Sequence, residues 1–241
     1  MNLTNKLLNL NWNLINEKLL NNGYYLHQQI LTAEECQQFK DFYQKDELYR
    51  STIVMERYQF GKGIYRYFKY PLPNTIQMLR EVIYSQLVNT ANEWSKRNKY
   101  NYIYPTTLNN FLSETSIGKK TKSTPLILKY KQGDYTCLHQ DIASSNYFPY
   151  QIVFGLDQQG FDYEGGHFIL VQQRPRMQSI PHVITIPKGG FIIFSSNYHA
   201  ELGNKGFYRT VFKHGVSEIT HGSRTTVGII FHDYQVENSI L

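Results

Sequence analysis

The chain of 241 residues is 41% hydrophobic and 18% charged, a balance that supports a buried core and excludes a wholly disordered polypeptide. Its net charge of +6 permits an anionic partner without requiring one, because lysine and arginine are spread along the whole sequence. Cys36 and Cys137 are far apart and form no C-x-x-C pair, which excludes a disulfide framework and a zinc ribbon.

The first residues lack a basic stretch followed by an apolar one, and no run approaches the roughly 18 apolar residues of a membrane span. The expectation is a cytoplasmic protein with no membrane role. Leu3, Leu7, Leu10 and Leu14 recur at helical spacing and predict a core-packed helix. Tyr24, Tyr25 and Leu26 read as a short strand after Gly23. Thr32 with Glu35 three residues on has the form of a capping box, opening a helix to about Asp46. From Arg50 to Pro73 basic and aromatic residues interleave around Gly61 and Gly63, so this segment is either a hairpin or a flexible lid. Aromatic faces beside cations hold single strands and flipped bases, which makes Arg57, Tyr65, Arg66 and Tyr67 candidate substrate contacts. A tyrosine-rich hairpin also packs without any ligand. Asn74 to Lys96 is helical, with Ile76, Leu79, Ile83, Leu87 and Ala91 on one face.

From Pro125 the hydrophobic period changes from 3.6 to 2. Apolar runs at 126–130, 151–156, 167–171, 182–186, 191–194, 208–213 and 225–231 are separated by turn residues such as Glu164-Gly165-Gly166 and Pro187-Lys188-Gly189-Gly190. Many short strands with this punctuation predict a sandwich or jelly-roll barrel. The expected fold is mainly β with N-terminal helices (α+β), one domain in which residues 1–122 give helical support and the lid, and 123–241 the jelly-roll core. Arg174 and Arg176 follow a strand and either bind phosphate or pair with acids at the barrel rim.

Within the β half, His139-Gln140-Asp141 is an H-x-D pair, whose two side chains share one face of a strand. With a second histidine it completes a two-histidine, one-carboxylate set for a first-row divalent metal, leaving coordination positions open. His214 supplies that histidine, and Arg224, ten positions later, begins the next strand of an expected hairpin. There its guanidinium reaches a carboxylate deep in the barrel, with Thr226 on the same face. His199 with Arg209 repeats the same spacing and is the competing pair. Cys137 alternates with His139 and reads as a small strand residue, and His221 and His232 read as structural.

The order H-x-D, strands, His, then Arg resembles the 2-oxoglutarate/Fe(II)-dependent dioxygenase superfamily. Longer stretches resemble one bacterial family in it, described as oxygenases for oxidative demethylation of damaged nucleic acid. They are F-G-K-G-I-Y-R-Y-F-K-Y-P-L-P at 60–73, G-D-Y-T-C-L-H-Q-D at 133–141, E-G-G-H-F-I-L-V-Q-Q-R-P-R-M-Q-S at 164–179, H-G-V-S at 214–217 and G-I-I-F-H-D at 228–233. The resemblance implies a double-stranded β-helix, Fe(II) held by His139, Asp141 and His214, 2-oxoglutarate held by Arg224 with Tyr130 and Thr226 nearby, O2 as co-reactant, and nucleic acid as substrate. Two rival readings remain at this stage: hydroxylation of a protein side chain or small molecule by a prolyl-hydroxylase-like enzyme, and a metal-free binding module.

Overall fold

The computed structural model describes residues 2–141 and 147–236. The leucine stripe at the start is not one helix but two, α1 (Leu3–Leu8) and α2 (Trp12–Asn22). Asparagine causes the break: the Asn2 and Asn11 side chains accept from the backbone N–H groups of Asn5 and Leu14, so each starts a helix of its own. Leu3 and Leu7 are buried, while Leu14, across the break, faces solvent. The predicted strand is β1 (Tyr24–His27), and the helix after it, α3 (Ala33–Phe42), opens with both reciprocal bonds of the Thr32–Glu35 capping box. It ends at Phe42 rather than near Asp46, where a short 3-10 turn (Asp46–Leu48) leads into β2 (Tyr49–Val54).

The basic–aromatic segment is a hairpin within the fold. A second 3-10 turn (Met55–Tyr58) and the short β3 (Gly61–Lys62) join β2 to β4 (Ile64–Phe68), which pairs with β2. Helix α4 (Asn74–Arg97) buries the expected apolar face, and α5 (Leu108–Ser116), capped by Thr107, occupies a stretch with no sequence prediction. The polar stretch after it contains β5 (Lys120–Lys122). The next strands are β6 (Leu126–Lys131), β7 (Tyr135–His139), β8 (Tyr150–Gly155), β9 (Tyr163–Gly165), β10 (Phe168–Gln173) and β11 (Ile180–Ile184). Last come β12 (Phe191–Ser195), β13 (Tyr198–Gly203), β14 (Gly206–Val216), β15 (Ile219–Ile230) and β16 (Tyr234–Val236).

Two antiparallel sheets stack to make the jelly roll. The larger runs β1-β12-β8-β15-β6-β4-β2 with β9 on β15, and the smaller runs β11-β10-β14-β7-β3 with β13 on β14. Strands from both sides of residue 122 therefore share the larger sheet. One face of that sheet carries Ile127, Ile152, Phe154, Ile193, Val227 and Ile229 against the helices. Its other face meets the smaller sheet, where Ile192, Phe194, Phe168, Leu170 and Phe212 form a second core. Alternation along each strand, period 2, divides the residues between these two layers. The inward face continues past the packed end of the barrel onto β4, and the candidate site lies along it.

Candidate active site

His214 projects between the sheets from β14, its ring against Phe194 (4.7 Å between centroids) and Phe168 (5.9 Å). Its cross-strand partner on β7 is His139, and the two imidazoles lie 4.2 Å apart. Between this pair and the Val216–Thr136 pair the register shifts, so β7 carries an extra residue. The bulge lets both Thr136 and His139 point inward and turns Cys137 out to solvent, correcting the simple alternation expected for Cys137, His139 and Asp141. Close approach of the strands requires Gly215, since a Cβ there would stand 2.6 Å from the Thr136 carbonyl oxygen.

Asp141, just beyond β7, places one carboxylate oxygen 3.6 Å from His139 Nε2 and the other 3.4 Å from His214 Nε2. One donor atom from each of the three residues lies within 4.8 Å of the others, the only such group of three or more among the described residues. His139 Nδ1 stands 2.9 Å from the Cys137 carbonyl, which can only accept, so that nitrogen carries the proton and Nε2 offers its lone pair inward. Burial, reinforced by His139, lowers the pKa of His214 and keeps it neutral. Burial also opposes ionisation of Asp141, but bonding to His214 and the positive charge the two histidines carry once protonated, at the acid pH where the carboxyl titrates, outweigh it and hold the carboxyl below its ordinary range. Two imidazole nitrogens and one ionised carboxylate fit a ferrous ion.

Arg224 is 2% exposed, and its guanidinium pairs with no carboxylate among the described residues. It lies over the rings of Tyr130 (5.8 Å) and Tyr163 (6.0 Å). The Tyr130 hydroxyl is 2.7 Å from the Thr136 hydroxyl, which links this pocket to the strand bearing His139. Thr226, two residues along β15, is buried on the same face. Arg224 does not begin its strand but sits inside the 12-residue β15, and β14 with β15 is not a hairpin: the chain crosses from one sheet to the other at Ser217 and Glu218. That crossing puts His214 and Arg224 on facing sheets. Gly166 makes room for the arginine, since at φ +59° a Cβ would stand 3.1 Å from Arg224 Cδ and 2.3 Å from Ile219 Cδ1. Asp157 anchors the strand from behind, accepting from the Thr225 N–H at 2.6 Å and from Lys40 at 2.8 Å.

The remaining candidates separate by face. Tyr65 and Tyr67 line the inward side of β4, edge to face at 5.3 Å; burial raises both phenol pKa values, and the Asp141 charge adds to the effect. Arg66 lies on the opposite side, bonded to Asp46 and the Tyr43 carbonyl and stacked on Tyr49, so strand alternation removes it from the site. Arg57 is exposed on the 3-10 turn. Arg174 and Arg176 follow the end of β10, the first partly buried and the second exposed at φ +59°. His199 is buried on β13 against Phe212, its pKa pushed down to about 4 by burial, and Arg209 donates to the Asn98 carbonyl; neither belongs to the histidine–aspartate cluster. His221 is exposed, and buried His232 accepts from the Phe148 N–H. Tyr163 and Thr136 border the arginine pocket without having been predicted, because only the sheet crossing and the bulge bring them there. A hydroxyl three residues before His139 was the one trace in the sequence.

Residues 63–234 match the model of a family described as an oxygenase catalysing oxidative methylation of damaged DNA. Uncharacterised proteins from two Mycobacterium tuberculosis strains are each 34% identical over 166 residues, covering 69% of this chain and 71% of the relative. Among solved structures, a Pseudomonas putida prolyl-4-hydroxylase aligns with a TM-score of 0.55 at 12% identity, over 91% of this chain and 97% of its own. A Burkholderia pseudomallei oxidoreductase of the 2OG-Fe(II) oxygenase family gives 0.54 at 13%, over 92% and 90%. A Trichoplax adhaerens prolyl hydroxylase, solved with a hypoxia inducible factor peptide fragment, gives 0.53 at 14%, over 92% and 88%. At these identities the likeness is one of fold.

Proposed function

The chain belongs to the oxygenase family whose model spans residues 63–234, within the 2-oxoglutarate/Fe(II)-dependent dioxygenases, and on that premise we propose that it oxidises N-methyl groups on damaged nucleic-acid bases. It is a dioxygenase, and Fe(II), 2-oxoglutarate and O2 are its cofactor and co-reactants. In our reading His139, Asp141 and His214 hold the iron, Arg224 holds the distal carboxylate of 2-oxoglutarate, and Tyr130 and Thr226 bound that pocket.

The observation that carries the reading is the buried Arg224, which has no carboxylate partner of its own among the described residues. A guanidinium withdrawn from water is costly unless paired, and a dicarboxylic co-substrate supplies the missing anion. Asp141, held ionised, and His214, whose pKa burial lowers, need no proton loss on binding a dication at neutral pH. The bond from His139 to the Cys137 carbonyl fixes which nitrogen faces the metal. When bound, iron with 2-oxoglutarate and O2 supplies the oxidising power: one oxygen atom enters succinate as CO2 leaves, the other enters a substrate C–H bond. Phe168 and Phe194 exclude water behind His214. Tyr65 and Tyr67 offer an aromatic wall of the kind that holds a base withdrawn from its stack. An N-hydroxymethyl product then releases formaldehyde, its hydroxyl proton leaving and the base nitrogen regaining one.

The test presents methylated single-stranded oligonucleotides and, separately, proline-containing peptides, and follows succinate and formaldehyde together. Equal yields of both products with the oligonucleotide are expected. Succinate release stimulated by peptide alone would move the enzyme to protein hydroxylation.

A further inference from the structure

Arg50, which opens the basic–aromatic segment but is not among the predicted substrate contacts, is set apart by a fault in strand pairing. Tyr49 pairs with Phe68 and Ser51 with Tyr67, so β2 has one residue more than β4 between the two pairs, and that residue is Arg50. Tyr49 and Phe68 pack together on the helix side of the sheet. The bulge turns Arg50 the other way, its guanidinium 4.3 Å from the centre of the Tyr67 ring on the site-facing side. Its Nε donates to the Ser123 carbonyl at 2.8 Å, and one Nη makes a long contact of 3.4 Å with Ser51 Oγ.

Three features make this a held cation without a carboxylate partner among the described residues. No carboxylate lies within ion-pair distance of Arg50 among the described residues, and its second Nη carries no hydrogen bond among them. Asp233, an acid in its surroundings, is bound by Arg80 and the Tyr70 hydroxyl. The guanidinium is also partly withdrawn from solvent, and a ring face and one carbonyl offset that cost only in part. The basic surface continues from here: Ser123, which holds Arg50, follows Lys122, exposed on the β5–β16 ribbon opposite the exposed Tyr234.

We propose that Arg50 is an anion subsite at the mouth of the active site, taking a backbone phosphate of a single-stranded polynucleotide whose chain continues past Lys122. The assignment rests on the nucleic-acid reading above. A phosphate suits the site better than a base, because Arg50 already covers a face of Tyr67 and a fixed cation gains most from a full negative charge.

Binding of a fluorescent methylated single strand to the protein loaded with Mn(II) and 2-oxoglutarate, titrated across salt concentrations, tests it. Each phosphate contact contributes a slope of about −0.7 in log K against log salt. R50Q is expected to bind about tenfold more weakly with the slope reduced by about 0.7, R50K to keep the slope, and K122Q to lose a further similar amount. Because Arg50 also secures Ser123, the wild-type protein gives a second readout: the oligonucleotide should protect Arg50 from phenylglyoxal, followed by mass spectrometry. If the wild type binds the strand while R50Q matches it in slope and Arg50 is unprotected, the subsite is wrong and the nucleic-acid reading stands. If the wild type turns over 2-oxoglutarate yet binds no strand, both fall. Protection by an acidic peptide instead of the strand overturns the phosphate assignment.

Discussion

At the scale of single residues, the site depends on charges whose partners are either provided or withheld. Arg80, fully buried in α4, is provided for: it bonds the Ile230 and Phe231 carbonyls, the Tyr70 hydroxyl and Asp233. Arg224, almost as buried, has no carboxylate partner among the described residues. Replacing it with glutamine should therefore raise the KM for 2-oxoglutarate by about 30-fold or more, the scale of losing one side of a buried charge pair. Iron affinity should stay near wild type. Succinate production against 2-oxoglutarate concentration measures this, and an unchanged KM would remove Arg224 from its proposed role. Lysine should rescue poorly, lacking the two-pronged donor geometry. His139 and Asp141 stand out in the sequence as an H-x-D pair, whereas His214 with Arg224 shares its spacing with His199 and Arg209. Arg66 was misplaced because composition does not say which face of a strand a residue occupies.

Among the elements, two local rules act with different reach. The Thr32–Glu35 box could be read directly, since capping involves neighbours three residues apart. Thr32→Ala should cost about 1 kcal/mol in urea unfolding and leave 2-oxoglutarate binding untouched. Gly215 is the contrasting case, since its need arises from a strand remote in sequence. Gly215→Ala should cost about 1–3 kcal/mol by forcing β14 from β7, and it should also weaken Fe(II) binding by moving His214 relative to His139. A melting curve with an iron titration separates these effects; full iron affinity in a destabilised variant would break the proposed link. The bulges at Arg50 and Cys137 belong with Gly215. Both re-aim side chains at the site, and neither has a signature in the order of residues.

For the whole molecule, the jelly roll buries two histidines that the proposed chemistry does not use. Burial pushes His199 and His232 down to about 4 from an ordinary value of 6.5. Between those values the unfolded chain binds more protons than the folded one, so stability is full above about 6.5 and falls as pH drops toward 4. The loss is at most on the order of 3 kcal/mol for each histidine. Urea midpoints measured from neutral pH downward should decline across that window, and a flat profile would show that these imidazoles are not buried neutral. What the sequence determined alone was the class of fold, through the change of period at Pro125, and the types of candidate donor, through the H-x-D pair and the histidines that follow it. Tertiary structure decided which histidine joined the cluster: His199 and His214 share the same spacing to an arginine, but only His214 is paired with His139 across two strands. It also decided that Arg224 faces His214 from the other sheet and that Arg50 turns inward at a bulge. Those facts depend on pairing between distant segments, which register and packing fix and local sequence does not encode.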